Sequence, residues 1–340
     1  MDKSYNPTIS IIIPVYNCEK FIQRCYDSIY NQTYQNWEAI FINDGSTDNT
    51  QGILLDIATK DSRVHIISQK NGGPSSARNT GLKAATAEYI TMLDADDTMD
   101  PEMIEKLYNA AIQSKSDLIT VGLIHSSDTG EITKCCIPYS GELNMSAKLL
   151  FRHIHRGPCA KLYKKSIIDK YNIKFPEKLK IAEDFVFIGM YASQIKTFYN
   201  IPKCLYRYCF GDNANSLLHL YGQDKYSFSS HLRHINTPWM ICKYIIANVR
   251  DDDKIKEWAY ESYRESLKMY HPIFHIIKSP KNKQLMKSYF KKQLRNFNKY
   301  VPLHMRLFTP YKFPALINIY KFFKNKLYVL MNLKFYKNTQ

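Results

Sequence analysis

The chain has 340 residues, 45% of them hydrophobic and 23% charged, the composition of a globular protein with a sizeable core and not of a disordered one. Its formal net charge is +16, but no Asp or Glu follows Glu265, and residues 266–340 hold 16 Lys and Arg, which leaves 47 − 16 = 31 basic against 31 acidic residues in 1–265. A uniformly basic nucleic-acid-binding surface is therefore excluded, and the excess belongs to one tail with a partner of its own.

The stretch from Met1 to Thr8 is polar, and the apolar run that follows is too short for a signal peptide. No stretch reaches the ~18 uninterrupted apolar residues of a spanning helix, so a cytoplasmic protein is expected. The eight cysteines show neither CxxC nor zinc spacing and read as reduced residues in apolar surroundings.

Along residues 8–121, short apolar runs alternate with helical segments. The runs are TISIIIPV (8–15), WEAIFIN (37–43), VHIIS (64–68), EYITML (88–93) and DLITVG (117–122). Between them lie predicted helices 18–31, 48–60, 75–86 and 101–114, with Asp48 and Ser75 as N-caps and Pro101 in a first turn. Continuous apolar runs predict strands covered on both faces. The expected fold is α/β, a mostly parallel sheet flanked by helices, with ligands at the carboxyl ends of the strands. Residues 123–210 mix short strands and helices. From about 223 the pattern is helical, so a domain over 1–220, split into halves 8–122 and 123–220, precedes a helical, basic region 221–340.

The polar residues fall where that sheet would bind a ligand. YITMLDADDTMDPE carries Asp94, Asp96, Asp97 and Asp100, carboxylates that repel one another unless a positive charge joins them. An EF-hand is excluded, because Met99 stands where the loop needs Gly and the preceding segment reads as a strand. Two readings stand: an acidic turn capping the next helix, which suits Asp100, and a hard divalent cation, Mn²⁺ or Mg²⁺, held by one or two carboxylates and phosphate oxygens. NDGSTD (43–48) is turn chemistry by itself, but beside a metal site Asp44 can accept from a base N–H or a ribose hydroxyl. NGGPSSARNTG (71–81) offers a glycine loop and Arg78, suited to phosphate or a base, and it is neither a P-loop nor a dinucleotide fingerprint. In AEDF (182–185), Glu183 and Asp184 are favoured by a helix start and could supply a general base for an attacking hydroxyl.

Together ISIIIPVYN, NDGSTDNT, NGGPSSARNTGL, EYITMLDADD, KLYKKSII and EDFVF resemble the family-2 inverting glycosyltransferases of the GT-A fold, over roughly residues 8–210. Within that family the chain is similar to bacterial enzymes of capsule, exopolysaccharide or lipopolysaccharide synthesis. The resemblance implies a nucleotide-sugar donor, most often UDP-linked, a divalent metal, and a glycan or lipid-linked oligosaccharide acceptor. It implies that Tyr16 stacks on the base beside the Pro14 and Val15 backbone, that Asp44 reads the base edge, and that Arg78 holds the nucleotide. Asn17, Ser46, Asn79 and Ala95 lie in the same donor-side motifs. Asp94 is implied near ribose or metal, and Asp96 as the main metal ligand with Asp97 as the alternative. His219 is a third metal candidate, set against a surface histidine. Asp184 is implied as the base, Glu183 as its acceptor-side neighbour, and Lys161 as an acceptor-side residue, as is segment 205–218.

The alternatives are transfer directly onto polyprenyl phosphate and a non-catalytic nucleotide-sugar-binding protein. The tail, with Lys set among Leu, Ile, Phe and Tyr in 316–337, reads either as a solvated helical surface or as a peripheral contact with anionic membrane. Nucleic acid is not an expected partner.

Overall fold

The computed structural model describes residues 6–127, 130–135, 141–146, 157–179 and 183–209, then 238, 240–249, 253–262 and scattered positions between 280 and 295. His219, residues 210–218 and nearly all of the basic tail lie outside the described residues. The chain divides into two units, Met1–Tyr226 and Ser227–Gln340.

In the first unit, four apolar runs form β1 (Ile9–Val15), β2 (Trp37–Asn43), β3 (Val64–Ser68) and β4 (Tyr89–Met92). They are parallel in the order β3-β2-β1-β4, with Ile12 in register with Ile40 on one side and Met92 on the other. Every residue of β2 and β4 is buried, as strands covered on both faces must be. Helices α1 (Ile22–Tyr30), α2 (Thr50–Lys60), α3 (Pro74–Ala84) and α4 (Met103–Ser114) alternate with them. Buried in this apolar setting, Glu38 of β2 is satisfied by Ser10 Oγ at 2.6 Å and by Thr86 N–H and Oγ1, both at 2.8 Å. Because β2 and β3 lie on one side of β1 and β4 on the other, the strand order reverses between β1 and β4. In open α/β sheets the ligand crevice opens at that point, outside the carboxyl ends of the strands.

The remaining elements are β5 (Thr98–Met99), β6 (Leu118–Ser127), β7 (Gly130–Cys135), β8 (Gly141–Asn144), β9 (Lys161–Lys164), α5 (Lys165–Lys170), α6 (Glu183–Gln194) and β10 (Thr197–Cys209). Here the fifth predicted run, β6, is not next to β4. Strand β9 sits between them, antiparallel to both. Strand β10 runs parallel to β6 and carries β5 and β8 antiparallel on its other edge, while β7 pairs with β6. The sheet is thus parallel around β1 and mixed beyond β4. Four residues that pass straight into a helix, as KLYK does, are too few to show a strand period.

Three local expectations shift. Helix α2 starts at Thr50 with Asn49 as cap residue, while the Asp48 carboxylate accepts Thr50 N–H at 3.1 Å from one position earlier. Helix α3 starts at Pro74, which puts Ser75 inside it and Gly73 (φ +85°) at the cap. Pro101 precedes α4, whose start is shaped by Asp100 Oδ1 accepting Glu102 N–H at 3.1 Å. The expectation that all cysteines are reduced is corrected at Cys204, which is disulfide-bonded, a pairing that spacing along the chain does not reveal; Cys18, Cys25, Cys159, Cys209 and Cys242 are free.

In the second unit, residues 240–248 and 253–262 are helical, and Ile241, Cys242, Ile245, Trp258 and Ala259 are buried. Among the described residues no helix is long and apolar enough to cross a membrane.

Helix α3 meets the sheet at Gly81. A Cβ there would stand 2.4 Å from Ile12 Cγ2 and 2.8 Å from Ile42 Cδ1. In an exposed helix Gly→Ala stabilises by about 1 kcal/mol. Here it must push α3 off β1 and β2, so Gly81→Ala is expected to destabilise the protein by about 1–3 kcal/mol in urea unfolding.

Candidate active site

Four loops meet at the carboxyl ends of β1, β2, β3 and β4. The loop after β1 turns at Asn17, held in the left-handed region (φ +50°). Asn17 N–H donates to Ser46 Oγ at 3.0 Å, and Asn17 Oδ1 accepts Thr47 N–H at 2.8 Å. Glu19 N–H donates to Asp48 Oδ2 at 3.1 Å, and Asn49 N–H returns a bond to Glu19 Oε2 at 2.9 Å. These reciprocal bonds lock two loops together and leave the Tyr16 ring 42% exposed at their edge. Val15 and Ala95 are buried and Pro14 is half-buried, so these three contribute backbone and shape.

Asp44 is buried and already engaged. Its Oδ1 accepts from Gln69 Nε2 at 2.7 Å and Gly72 N–H at 2.9 Å, and its Oδ2 accepts Gly73 N–H at 2.7 Å. A carboxylate offers about four lone-pair sites, so one remains for a ligand. Gln69 is a partner that sequence reading did not single out; it stands two residues before the glycine loop 71–81.

Arg78 is the centre of the site. It is 5% exposed. One terminal nitrogen donates to Asp184 Oδ1 at 2.9 Å and the other to Asp94 Oδ1 at 2.8 Å, while Glu183 Oε1 lies 3.7 Å away. Burial works against the charge, but Asp184 and Asp94 outweigh it and hold the guanidinium above its ordinary pKa. One side chain thus joins carboxylates from β4's end and α6's start, ninety positions apart in the chain (184 − 94). No hydrogen bond to Asp184 Oδ2 is formed among the described residues. Burial raises the Asp184 carboxyl against the pull of Arg78, and burial with Asp184 pushes Glu183 up to about 7.

The remaining aspartates divide. Asp94 and Asp96 are half-buried, and the Asp96 carbonyl accepts from Arg24 at 2.8 Å. Asp97 is 1% exposed and faces the protein: Tyr206 Oη donates to its Oδ2 at 2.5 Å and Cys209 N–H to its Oδ1 at 2.8 Å. Burial, then Asp94 and Asp96, raise its carboxyl well above the carboxylate range. Asp97 therefore hangs the acidic loop on β10, and Tyr206 is a site residue that the sequence flagged only as part of a segment. Among the described residues no group of three His, Cys, Asp or Glu is poised around one point. Mn²⁺ and Mg²⁺ do not need one, since one or two carboxylates and substrate phosphates suffice. Asp96 and Asp94, hard oxygen donors beside the crevice, fit such an ion.

The side chains of Asn79 and Lys161 bond to backbone within the protein. The amide of Asn79 pairs with the Phe175 backbone. Lys161, 1% exposed, donates to the carbonyls of Gly157 at 2.8 Å and Cys159 at 3.1 Å, and burial lowers its pKa to about 7.

A sheet of this order, with carboxylates gathered where the strand order reverses, belongs to the GT-A class of folds. Residues 10–171 match the family described as Glycosyl transferase family 2, and the chain carries a domain of that family. It is 34% identical over 221 residues to the uncharacterized glycosyltransferase EpsJ of Bacillus subtilis (strain 168), covering 62% of this chain and 63% of the relative. It is 37% identical over 185 residues to the poly(ribitol-phosphate) beta-glucosyltransferase of Bacillus spizizenii, covering 53% and 28%. The chain thus matches less than two thirds of the length of these relatives. In fold it is similar to S. aureus TarS 1-349 in complex with UDP-GlcNAc, with a TM-score of 0.58 at 18% identity over 86% of this chain and 90% of that one.

Removing one partner of a buried pair costs about 3–5 kcal/mol, so Arg78→Met is expected to lose stability on that scale at neutral pH. Without the cation, the folded-state pKa of Asp184, already raised by burial, rises further. Folded protein then binds protons that unfolded chains lack, and the deficit should shrink as pH falls toward about 4. Urea unfolding at neutral and acid pH measures both effects; a deficit independent of pH would mean the pairs carry no net charge interaction.

Proposed function

We propose that this protein is an inverting glycosyltransferase. It moves a hexose-type sugar from a nucleotide-sugar donor, read as UDP-linked, to a hydroxyl of a glycan or lipid-linked oligosaccharide in bacterial surface polysaccharide synthesis. The observation that carries this reading is the Arg78 bridge, which sets the donor-side Asp94 and the acceptor-side Asp184 around one buried cation. In this reading residues 8–122 bind the donor, 123–220 the acceptor, and 221–340 form the helical basic region.

Tyr16 stacks on the base, supported by the Asn17–Ser46 loop lock, and the last lone pair of Asp44 accepts a base N–H. Asp184 Oδ2 takes the proton of the acceptor hydroxyl. The freed oxygen pair attacks the anomeric carbon from the face opposite the diphosphate, through an oxocarbenium-like transition state. The bond from that carbon to the diphosphate oxygen breaks, its electron pair leaves with the nucleotide, and configuration inverts. Arg78 sits where it opposes the charge building on this side. A divalent ion on Asp96 and Asp94, when bound, supplies the larger part of that compensation.

A side chain 30% exposed, with one carboxylate oxygen that has no hydrogen-bond partner among the described residues, favours a hydroxyl acceptor. Polyprenyl phosphate is already an anion and needs no base. The same base speaks against a binding protein without catalysis.

The test is a panel of nucleotide sugars with Mn²⁺ or Mg²⁺, followed by product NMR for the anomer formed. Asp184→Asn is expected to cut transfer by about 10²–10⁴-fold with UDP affinity retained. Near-normal transfer by the folded variant would remove Asp184 as base, and a retained anomer would remove the inverting mechanism.

The tail reads as a peripheral contact with the inner face of the membrane, its Lys and Arg meeting anionic lipid and its aromatics entering the interface. Co-sedimentation with anionic vesicles should fall on deletion of 266–340 and on raising the salt. Equal binding with and without the tail would end this assignment.

A further inference from the structure

The family motif puts Asn79 on the donor side, yet its amide is spent elsewhere. Oδ1 accepts Phe175 N–H at 2.8 Å, and Nδ2 donates to the Phe175 carbonyl at 2.9 Å and to Glu177 Oε1 at 3.0 Å. Both amide hydrogens are used, which leaves one acceptor lone pair on Oδ1. The double bond to one backbone residue copies the hydrogen-bonded pair of an antiparallel ladder, across 96 positions of sequence.

What this holds is specific. Phe175 is 2% exposed. Its ring stacks on Phe187 of α6, centroids 4.1 Å apart and planes 3° apart, and the Arg78 guanidinium carbon lies 5.4 Å from its centroid. Phe187 follows Asp184 by three positions and Glu183 by four, so the three share a helix face. Adjacent residues of α3 thus reach α6 by two routes. Arg78 grips Asp184 directly, and Asn79 grips the helix through Phe175 and Phe187.

We propose that Asn79 is a positioning residue. By pinning Phe175 to α3, it fixes the platform beneath Arg78 and the first turn of α6, and so the place of Asp184. The consequence for transfer rests on Asp184 being the base; the clamp itself does not.

The test compares wild type with Asn79→Ala and Asn79→Asp. The second variant keeps an acceptor for Phe175 N–H but loses the donor and sets a carboxylate against Glu177, and it serves if Asn79→Ala does not fold. In the absence of nucleotide, hydrogen exchange is expected to quicken in 173–179 and 183–188 and to stay unchanged in β1 and β4. UDP affinity by calorimetry should hold within about twofold while kcat falls about tenfold or more, the mark of lost alignment and not of lost binding. The acid limb of kcat/KM should move to lower pH, because water admitted beside Asp184 relieves the burial that raises it. Adding Glu177→Gln to Asn79→Asp should recover part of kcat.

Unchanged exchange overturns the clamp, whatever the wild type turns over. Weakened UDP affinity at full kcat overturns it in favour of a donor contact. Lower stability with unchanged kcat per folded molecule and an unmoved pH profile overturns it in favour of plain structure. A wild type that transfers from no nucleotide sugar removes the glycosyltransferase reading, and the exchange pattern then decides the clamp alone.

Discussion

Burying one guanidinium organises this site. Arg78 gives up water for two carboxylates, and among the described residues its buried Nε has no hydrogen-bond partner, so its hydrogen bonds come through the two terminal nitrogens. A charge buried in this way is tolerated only while its partners stay in place. Asp94 stands at the end of β4 and Asp184 at the start of α6, so Arg78 ties the two together. The bond network of the crevice thus adds to the sheet, which already joins β4 through β9 to β6.

The two oxygens of each carboxylate are not equivalent. Each carboxylate gives one oxygen to Arg78, with side chains 31% and 30% exposed. A fully buried carboxylate would be a structural anchor, as Asp97 is, and a fully exposed one would titrate as in water. At Asp184 burial raises basicity while the pinned oxygen fixes direction, and general-base chemistry requires both. Arg78 limits the rise, since its charge favours the ionised form.

Much of this was legible in the sequence. Runs such as WEAIFIN read as doubly covered strands, and the concentration of Asp, Asn and Gly at their carboxyl ends marked the crevice. The membership of Asp94, Arg78 and Asp184 in one site followed from family resemblance, because nothing local links DADD to EDF. What stayed hidden was direction. DADD allows two registers for a metal, and only the course of β10 shows that Asp97 turns inward to Tyr206 and Cys209. The motif puts Asn79 beside Arg78 in sequence, but consecutive helical residues point about 100° apart, and the second faces Phe175. KFPEK carries no signal that its Phe will lie under a guanidinium. Strand β9 was missed for another reason: inserting an antiparallel strand between β4 and β6 depends on long-range pairing, to which four residues contribute no period.

The bonds around Asp44 carry a consequence for how this fold deals with phosphate. A glycine turn running into a helix is a ready anion cradle, since its N–H groups point outward and the helix dipole adds positive charge. Here the cradle at the start of α3 is filled from within: Gly72 and Gly73 donate to Asp44, and Pro74 has no N–H to offer. The protein supplies its own anion where a P-loop would receive one. This leaves the turn rigid and electrically satisfied before any ligand arrives. Any anion that enters the crevice must therefore find its countercharge elsewhere, in cations that travel with it or stand across from it.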